Sequence, residues 1–273
     1  MPRRLFCEIC PAAYRISLAV HRMERHIQNA LRRNLAKQIS AETLPVRVYE
    51  SASLIRRTLG NADPALQEGK AVNLAIAAPR LDGVLIRPGE EFSFWHLVGA
   101  VTARQGYKTG MIIQNGKAAS DIGGGMCQMT NLLHWLVLHS PLTITEHHHH
   151  DGYDLFPDYG RTVPFGTGTS ILYNYIDYRF RNDTAETFQL RIWTDEKYLH
   201  GELYADRAQP LRYHITAEDE HFVRESDGVY RISRVMRRVT DAATGNVLET
   251  QCIKNNHAKI LYDEAFVTDR IRE

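Results

Sequence analysis

The sequence predicts an α+β protein: N-terminal helices followed by a mainly antiparallel β domain with one embedded helix, which starts at Gly-Gly-Gly-Met-Cys over residues 123–127. Three observations carry this. Helical periodicity is concentrated near the N-terminus, short β-rich runs separated by turn residues fill most of the remainder, and no βαβ alternation is present. The triple glycine also lacks the downstream Gly, or the Lys-Ser/Thr, that dinucleotide and phosphate loops require.

Taken in order, Ile16, Val20, Met23, Ile27, Leu31 and Leu35 recur at three- and four-residue steps between Ala12 and about Ile39, with arginines around them. This is a basic amphipathic helix. It either lies on the core with solvated arginines or makes a peripheral contact with an anionic membrane surface; the absence of Trp and Phe from the stripe favours the core. A second helix is expected from Glu50 to about Leu59, ending at Gly60-Asn61. From Val72 the chain reads as strand, turn at Leu81-Asp82-Gly83, strand, turn at Pro88-Gly89, strand. Ile112-Ile113 leading into Asn115-Gly116 signals a hairpin. The embedded helix runs from Cys127 to about His139 and stops before Pro141. Strands follow at Leu142 to Glu146, Ile171 to Arg181, Phe188 to Thr194 and Tyr198 to Ala205, and a last hairpin turns at Thr244-Gly245-Asn246. The expected organisation is a basic helical region (1–65), a central domain (72–205) and a C-terminal β-hairpin extension packed on the same globule (206–273).

The formal net charge of +1 gives no reason to expect a nucleic-acid partner. Charge is uneven, however: residues 1–40 hold eight Lys/Arg against Glu8 and Glu24, a local net of +6 that leaves about −5 elsewhere. Glu8, Arg15 and His21 interrupt any apolar core of a secretory signal, so the expectation is a cytoplasmic protein, membrane-peripheral if the basic helix docks, with a cell-wall location left open. Ile122 to Thr145 is free of charged residues but is broken by glycines, Gln128, Asn131 and Pro141, and does not read as a membrane span. Four cysteines are too few for a disulfide scaffold and are expected as free thiols. Cys7 and Cys10 form half of a zinc or redox motif, with no second pair.

The chemistry concentrates around Cys127. A cysteine attacks as thiolate, and the free N–H groups and dipole at a helix N-terminus stabilise that anion, so a lowered thiol pKa is expected. Gly123, Gly124 and Gly125 would let a substrate carbonyl approach the main chain, and the N–H groups of Cys127 and Gln128, or the Gln128 amide, could hold an oxyanion. Along the helix, Met129, Leu132, Leu133, Leu136 and Val137 form an apolar face, while Cys127, Asn131 and His134 share another. Packing would explain the leucines but not the glycines. After a short strand, His147 to His150 run consecutively, and alternation sends His148 and His150 to one face and His147 and His149 to the other. One imidazole beside the thiol would serve as base and then acid in acyl transfer. Zinc held by Cys127 and two histidines is the rival, and simple packing the third reading. No cofactor is expected.

Five segments then carry a family resemblance: PGEEFSFWHLVG (88–99), GYKTGMIIQNGK (106–117), GGGMCQMTNLLHW (123–135), TEHHHH (145–150) and DYRFRNDT (177–184). In that order and spacing they resemble the VanW family over roughly Val72 to Ala205. The resemblance implies a link to glycopeptide resistance and to the cell wall. It also implies, through exported members, cysteine L,D-transpeptidase chemistry on peptidoglycan, with muropeptide or a peptidoglycan precursor as partner. Cys127 would be the nucleophile, and a Glu-Arg-His-x-His pattern maps onto Glu146 to His150, matching His148 and His150. A carboxylate usual in a Gly-Arg-Asp-Ala-Thr-Val stretch is replaced by Gly168 in GTGTSI (166–171), leaving Asp177 as the nearest motif-matched substitute, beside Asn131 as a supporting residue. The alternative under the same resemblance is a non-catalytic accessory that binds through the same groove.

Overall fold

In the computed structural model, residues 5–57, 63–114, 117–149, 152–158, 162–267 and 269–273 are described. Helix α1 (Pro11–Leu31) begins at Cys10, whose sulfur accepts the Ala13 N–H at 3.4 Å, with Pro11 in the first position where its missing N–H costs nothing. Cys10 is therefore a helix cap, and all four cysteines are free thiols.

The next two elements reverse the sequence reading. Residues Val46–Leu54 form strand β1, not the start of a helix at Glu50; the residues expected to end that helix, Gly60-Asn61, lie outside the described set. Its helix-favouring residues are overridden because β1 pairs along its whole length with a later strand, β10 (Tyr198–Ala205). Conversely, Pro64–Ala77 is helix α2, not a strand from Val72. Asp63 caps it by accepting the Ala65 N–H at 2.8 Å, and Pro64 occupies the first position.

Short strands β2 (Leu85–Ile86) and β3 (Glu91–Ser93) follow, then a one-turn helix α3 (Phe94–Val98). The hairpin β4 (Thr109–Gln114) and β5 (Lys117–Ile122) flanks Asn115-Gly116, which themselves lie outside the described residues. Helix α4 (Met126–Leu138) is followed by β6 (Thr143–Glu146), β7 (Tyr153–Asp154) and β8 (Arg179–Arg181). The strand expected over Ile171–Arg181 shrinks to its last three residues. Upstream, Tyr175 and Ile176 close back on Leu172, and Asn174 adopts a left-handed φ of +48°. That turn receives α1.

Strand β9 (Phe188–Thr194) and β10 lie as expected, in the antiparallel order β1-β10-β9-β2. A second antiparallel sheet has the order β3-β8-β6. The C-terminal region forms β11 (Leu211–Glu225), β12 (Gly228–Asp241), β13 (Val247–Ile260) and β14 (Ile271–Arg272), with β14 and β7 joining as parallel edges. The mainly antiparallel α+β class is thus the observed one. The principal core joins Met129, Leu132, Leu133 and Leu136 of α4 to Leu203, Phe92, Phe180 and Leu74. A smaller core of Phe222, Val229 and Ile260 belongs to the C-terminal sheet.

Helix α1 departs from its expected placement. The helix ends at Leu31, short of Ile39, leaving Leu35 outside it and buried; of the expected stripe, Ile16, Val20, Met23, Ile27 and Leu31 are between 49% and 76% exposed and do not lie on the core. The helix docks by its opposite, polar face. Arg22 Nε donates to the Tyr173 carbonyl, Asn174 Nδ2 donates to the Arg22 carbonyl, and Arg25 makes a two-pronged pair with Glu146 at 2.7 and 2.9 Å. Arg179 reaches Asn29 at 2.6 Å, and Arg32 pairs with Glu91.

Candidate functional site

The glycine triplet is explained first by packing. An added Cβ at Gly124 would lie 2.1 Å from the backbone of Gly110 in β4, one at Gly123 would meet Val101 at 2.6 Å, and one at Gly125 would meet the Lys70 stem at 2.2 Å. Gly69 of α2 approaches the Thr109 carbonyl in the same way, at 1.8 Å. Backbone thus touches backbone where α2, β4 and the entry to α4 converge, and Asn73 ties them by donating to Lys108 and Gly124 carbonyls and accepting the Lys108 N–H. The expectation that packing cannot account for these glycines is corrected: neighbouring backbone and side chains occupy the space a side chain would need. Gly125 has a second requirement, a φ of +99° as the residue that opens α4.

Cys127 sits in the first turn of α4, as expected, and is partly buried. Its pKa moves opposite to the expected direction: burial pushes the thiol up, and a backbone hydrogen bond from Ile171 opposes that only in part. The helix terminus therefore holds a neutral thiol at rest. Gln128 does not present its groups to an open site. Its N–H donates to the Gly125 carbonyl at 2.9 Å, and its amide donates to Ser53 and to the Leu54 carbonyl, pinning α4 to β1.

On the next turns, the shared face of Cys127, Asn131 and His134 meets two other segments. Asn131 Oδ1 accepts the Thr169 N–H at 2.7 Å and its hydroxyl at 2.9 Å, and Thr130 bonds the same hydroxyl. His134 is buried, stacks on His147 with centroids 4.2 Å apart, and bonds Tyr178 through Nδ1 at 3.2 Å. Its pKa is held well below the ordinary value by burial, with His147 and His149 adding to the effect. His147 Nε2 donates to the Gly168 carbonyl at 2.9 Å. His149 Nε2 lies 3.5 Å, and Asn131 Oδ1 3.9 Å, from the point where a Cβ at Gly168 would stand.

It is therefore His147 and His149 that turn toward α4. His148 is half-exposed, with Nε2 3.4 Å from Glu146, while its carbonyl accepts the Ser170 N–H; it lines the cavity beside the other histidines with no hydrogen bond or ring contact to α4 among the described residues. His150 lies outside the described residues. Strand β6 carries a register shift between Ile144 and Glu146, the kind of irregularity that re-aims the side chains beyond it.

Asp177 has no free role. Its carboxylate accepts from Ser93 Oγ at 2.6 Å, the Trp95 and Tyr178 N–H groups, and Arg179 Nε at 2.9 Å, deep under α3. Its ion-pair partner is thus Arg179 of the same strand region. Arg179 is 2% exposed and also approaches Glu91 and Glu146, so one guanidinium holds three carboxylates together. Glu146 accepts Arg25 and the Asp177 N–H, linking α1 to the strand that delivers the histidines.

Sequence reasoning passed over Lys70 and Asn73. Lys70 is 5% exposed, and burial, with Arg57 and Arg56 nearby, lowers its pKa to about 8. Its only sequence signal was the Gly69-Lys70 pair inside an otherwise ordinary amphipathic run. A cavity of about 690 Å³ opens beside the histidines, lined by His134, His147, His148, His149, Thr167 and Arg237 among others. Among the described residues no cluster of three metal-ligating side chains is present.

Comparison with known proteins places this architecture. The family profile described as "VanW like protein" matches residues 69–204. The vancomycin B-type resistance protein VanW of Enterococcus faecalis is 37% identical over 227 residues, covering 83% of this chain and 82% of that protein. An uncharacterized protein of Bacillus subtilis, YoaR, is 28% identical over 127 residues, 45% of this chain and 39% of that one. No solved structure matches. Similarity to VanW over most of both chains, together with the family match across α2 to β10, shows that the chain belongs to the VanW family.

Proposed function

We propose that this protein serves glycopeptide resistance by acyl transfer on the peptide part of the cell wall or its precursors, with Cys127 as acyl acceptor. The observation that carries the reading is the convergence of the Cys127-Asn131-His134 face with His147 and His149 across the 168–171 segment. A thiol that burial keeps neutral needs a local base, and we assign that work to His149, whose Nε2 lies 3.5 Å from where a Cβ at Gly168 would stand. In the step itself the imidazole takes the Sγ proton as sulfur attacks the peptide carbonyl. The C–S bond forms, the C–N bond breaks, and the departing amine takes the proton back. A second amine or water then attacks the thioester and releases the thiol. The cavity beside the histidines, which Cys127 does not line, has room for the rest of a peptide.

A non-catalytic accessory that binds muropeptide through the same groove is favoured by one specific observation. Burial pushes the Cys127 thiol up, opposite to the thiolate that attack requires. Intact-protein mass spectrometry after incubation with peptidoglycan-derived peptides separates the two. Acyl transfer predicts an adduct on the wild-type chain that Cys127→Ala abolishes together with resistance in a dependent host. Undiminished resistance from Cys127→Ala, with no adduct, would sink the catalytic reading and leave the binding one.

A further inference from the structure

We infer that the outward face of α1 is a docking surface for an anionic lipid bilayer. Residues Ile16, Val20, Met23, Ile27 and Leu31 fall within about 80° of one another around the helix, all strongly exposed, while Arg22, Arg25 and Asn29 on the opposite side fasten the helix to the domain. A helix held by its polar face with its apolar face in water is inverted relative to an ordinary surface helix. Such a face needs a cover, and charge indicates which. Among the described residues the exposed Arg15, on one flank of the stripe, and the exposed Arg33, just past the end of the helix, form no ion pair. A shallow depression of about 460 Å³ follows that flank, lined by Arg15, Leu18, Ala19, Arg22, Met23 and His26.

Of the charged residues in 1–40, Arg25 and Arg32 are matched by Glu146 and Glu91, and Glu24 is matched by His21; the remaining excess is positive. A second copy of the chain fits this surface poorly, because pairing two stripes brings together two surfaces with the same unmatched positive excess. A bilayer with acidic headgroups satisfies both features at once, taking the apolar side chains into the headgroup boundary and the arginines against phosphate. No helix among the described residues is long and apolar enough to cross a membrane, so α1 would lie in the surface plane and not through it.

The test is flotation of the full chain with phosphatidylcholine vesicles, with and without about 30 mol% phosphatidylglycerol. Association with the anionic vesicles is expected to fall about tenfold or more in Met23→Asn/Ile27→Asn, and by a similar factor in Arg15→Glu/Arg33→Glu. Because these side chains are exposed, unchanged circular dichroism and thermal unfolding verify that the variants fold. Equal flotation of all three chains would overturn the proposal. So would the absence of vesicle binding accompanied by a concentration-dependent dimer that the Met23→Asn/Ile27→Asn chain no longer forms.

Discussion

Helices α1 and α4 are both amphipathic, yet the molecule uses them in opposite ways. In α4 the leucine face enters the principal core, and an added Cβ at Gly201 of β10 would meet Leu132 at 2.9 Å, so helix and sheet are in tight register. Its polar face meets the histidine run instead of water. In α1 the polar face is the docked one and the apolar face is bare. The difference lies in the surface each helix meets. The sheet offers α4 apolar side chains, whereas the 172–176 turn offers α1 carbonyls and the nearby strands offer Glu146 and Glu91. The period of apolar residues tells which two faces a helix has; the receiving surface decides which of them is buried.

The largest effect should come where α4 begins. Gly124→Ala forces a Cβ to within 2.1 Å of Gly110 backbone, which cannot rotate away as a side chain could. A loss of about 4 kcal/mol, or failure to fold, is expected in urea denaturation. A cost below about 1 kcal/mol would mean that α2, β4 and α4 are not packed backbone to backbone, and the contrast with α1 would lose its basis.

At the other end of α4, pH provides a comparable lever. His139 stacks on Tyr49 at 3.7 Å, donates to the Trp135 carbonyl, and is held by burial at a pKa of about 4. Because this is below the unfolded value of about 6.5, the unfolded chain binds the proton more readily. The stabilisation is complete above about pH 6.5 and disappears as pH falls toward the folded pKa, by up to about 3 kcal/mol. His134, shifted in the same direction, adds to it. Stability measured from pH 7 to pH 4.5 should fall accordingly, and His139→Gln should flatten the curve. An unchanged slope in His139→Gln would break the assignment to α4.

For α1 the strongest single attachment is Arg25, which engages Glu146 and the Tyr175 carbonyl. Arg25→Ala takes the bidentate cation from Glu146, leaving it His148, Arg179 and the Asp177 N–H, and should cost about 2 kcal/mol, with earlier proteolysis between α1 and β1. No loss would show that the seam is not polar.

How much of this was legible beforehand obeys the same logic. Strands β9 and β10 and the last hairpin were visible because each has local alternation and turn residues that need no distant partner. Helix α4 was visible from its period and from Pro141. The misread segments were those whose state is imposed from afar: β1 exists because β10 supplies an edge, and 172–176 turns because α1 requires carbonyls there. The Asp63-Pro64 start of α2 was a usable signal that its apolar run obscured. At the site, the Cys127-Asn131-His134 face could be read from helical spacing, but not which pair of histidines would meet it. That choice depends on the irregularity in β6, and the spacing of four identical residues carries no record of it.

The smallest expected effect is the most direct check on the inversion of α1. Replacing Ile16 or Met23 by Asn removes apolar surface that is already in water, so no burial energy is lost; only helix propensity changes, by a few tenths of a kcal/mol. Each variant should unfold within about 0.5 kcal/mol of the parent chain in solution. Leu133→Ala, on the buried face of α4, should cost about 3 kcal/mol in the same assay. If Ile16→Asn cost as much as Leu133→Ala, the stripe would be covered within the molecule, and the two helices would then obey one rule instead of two.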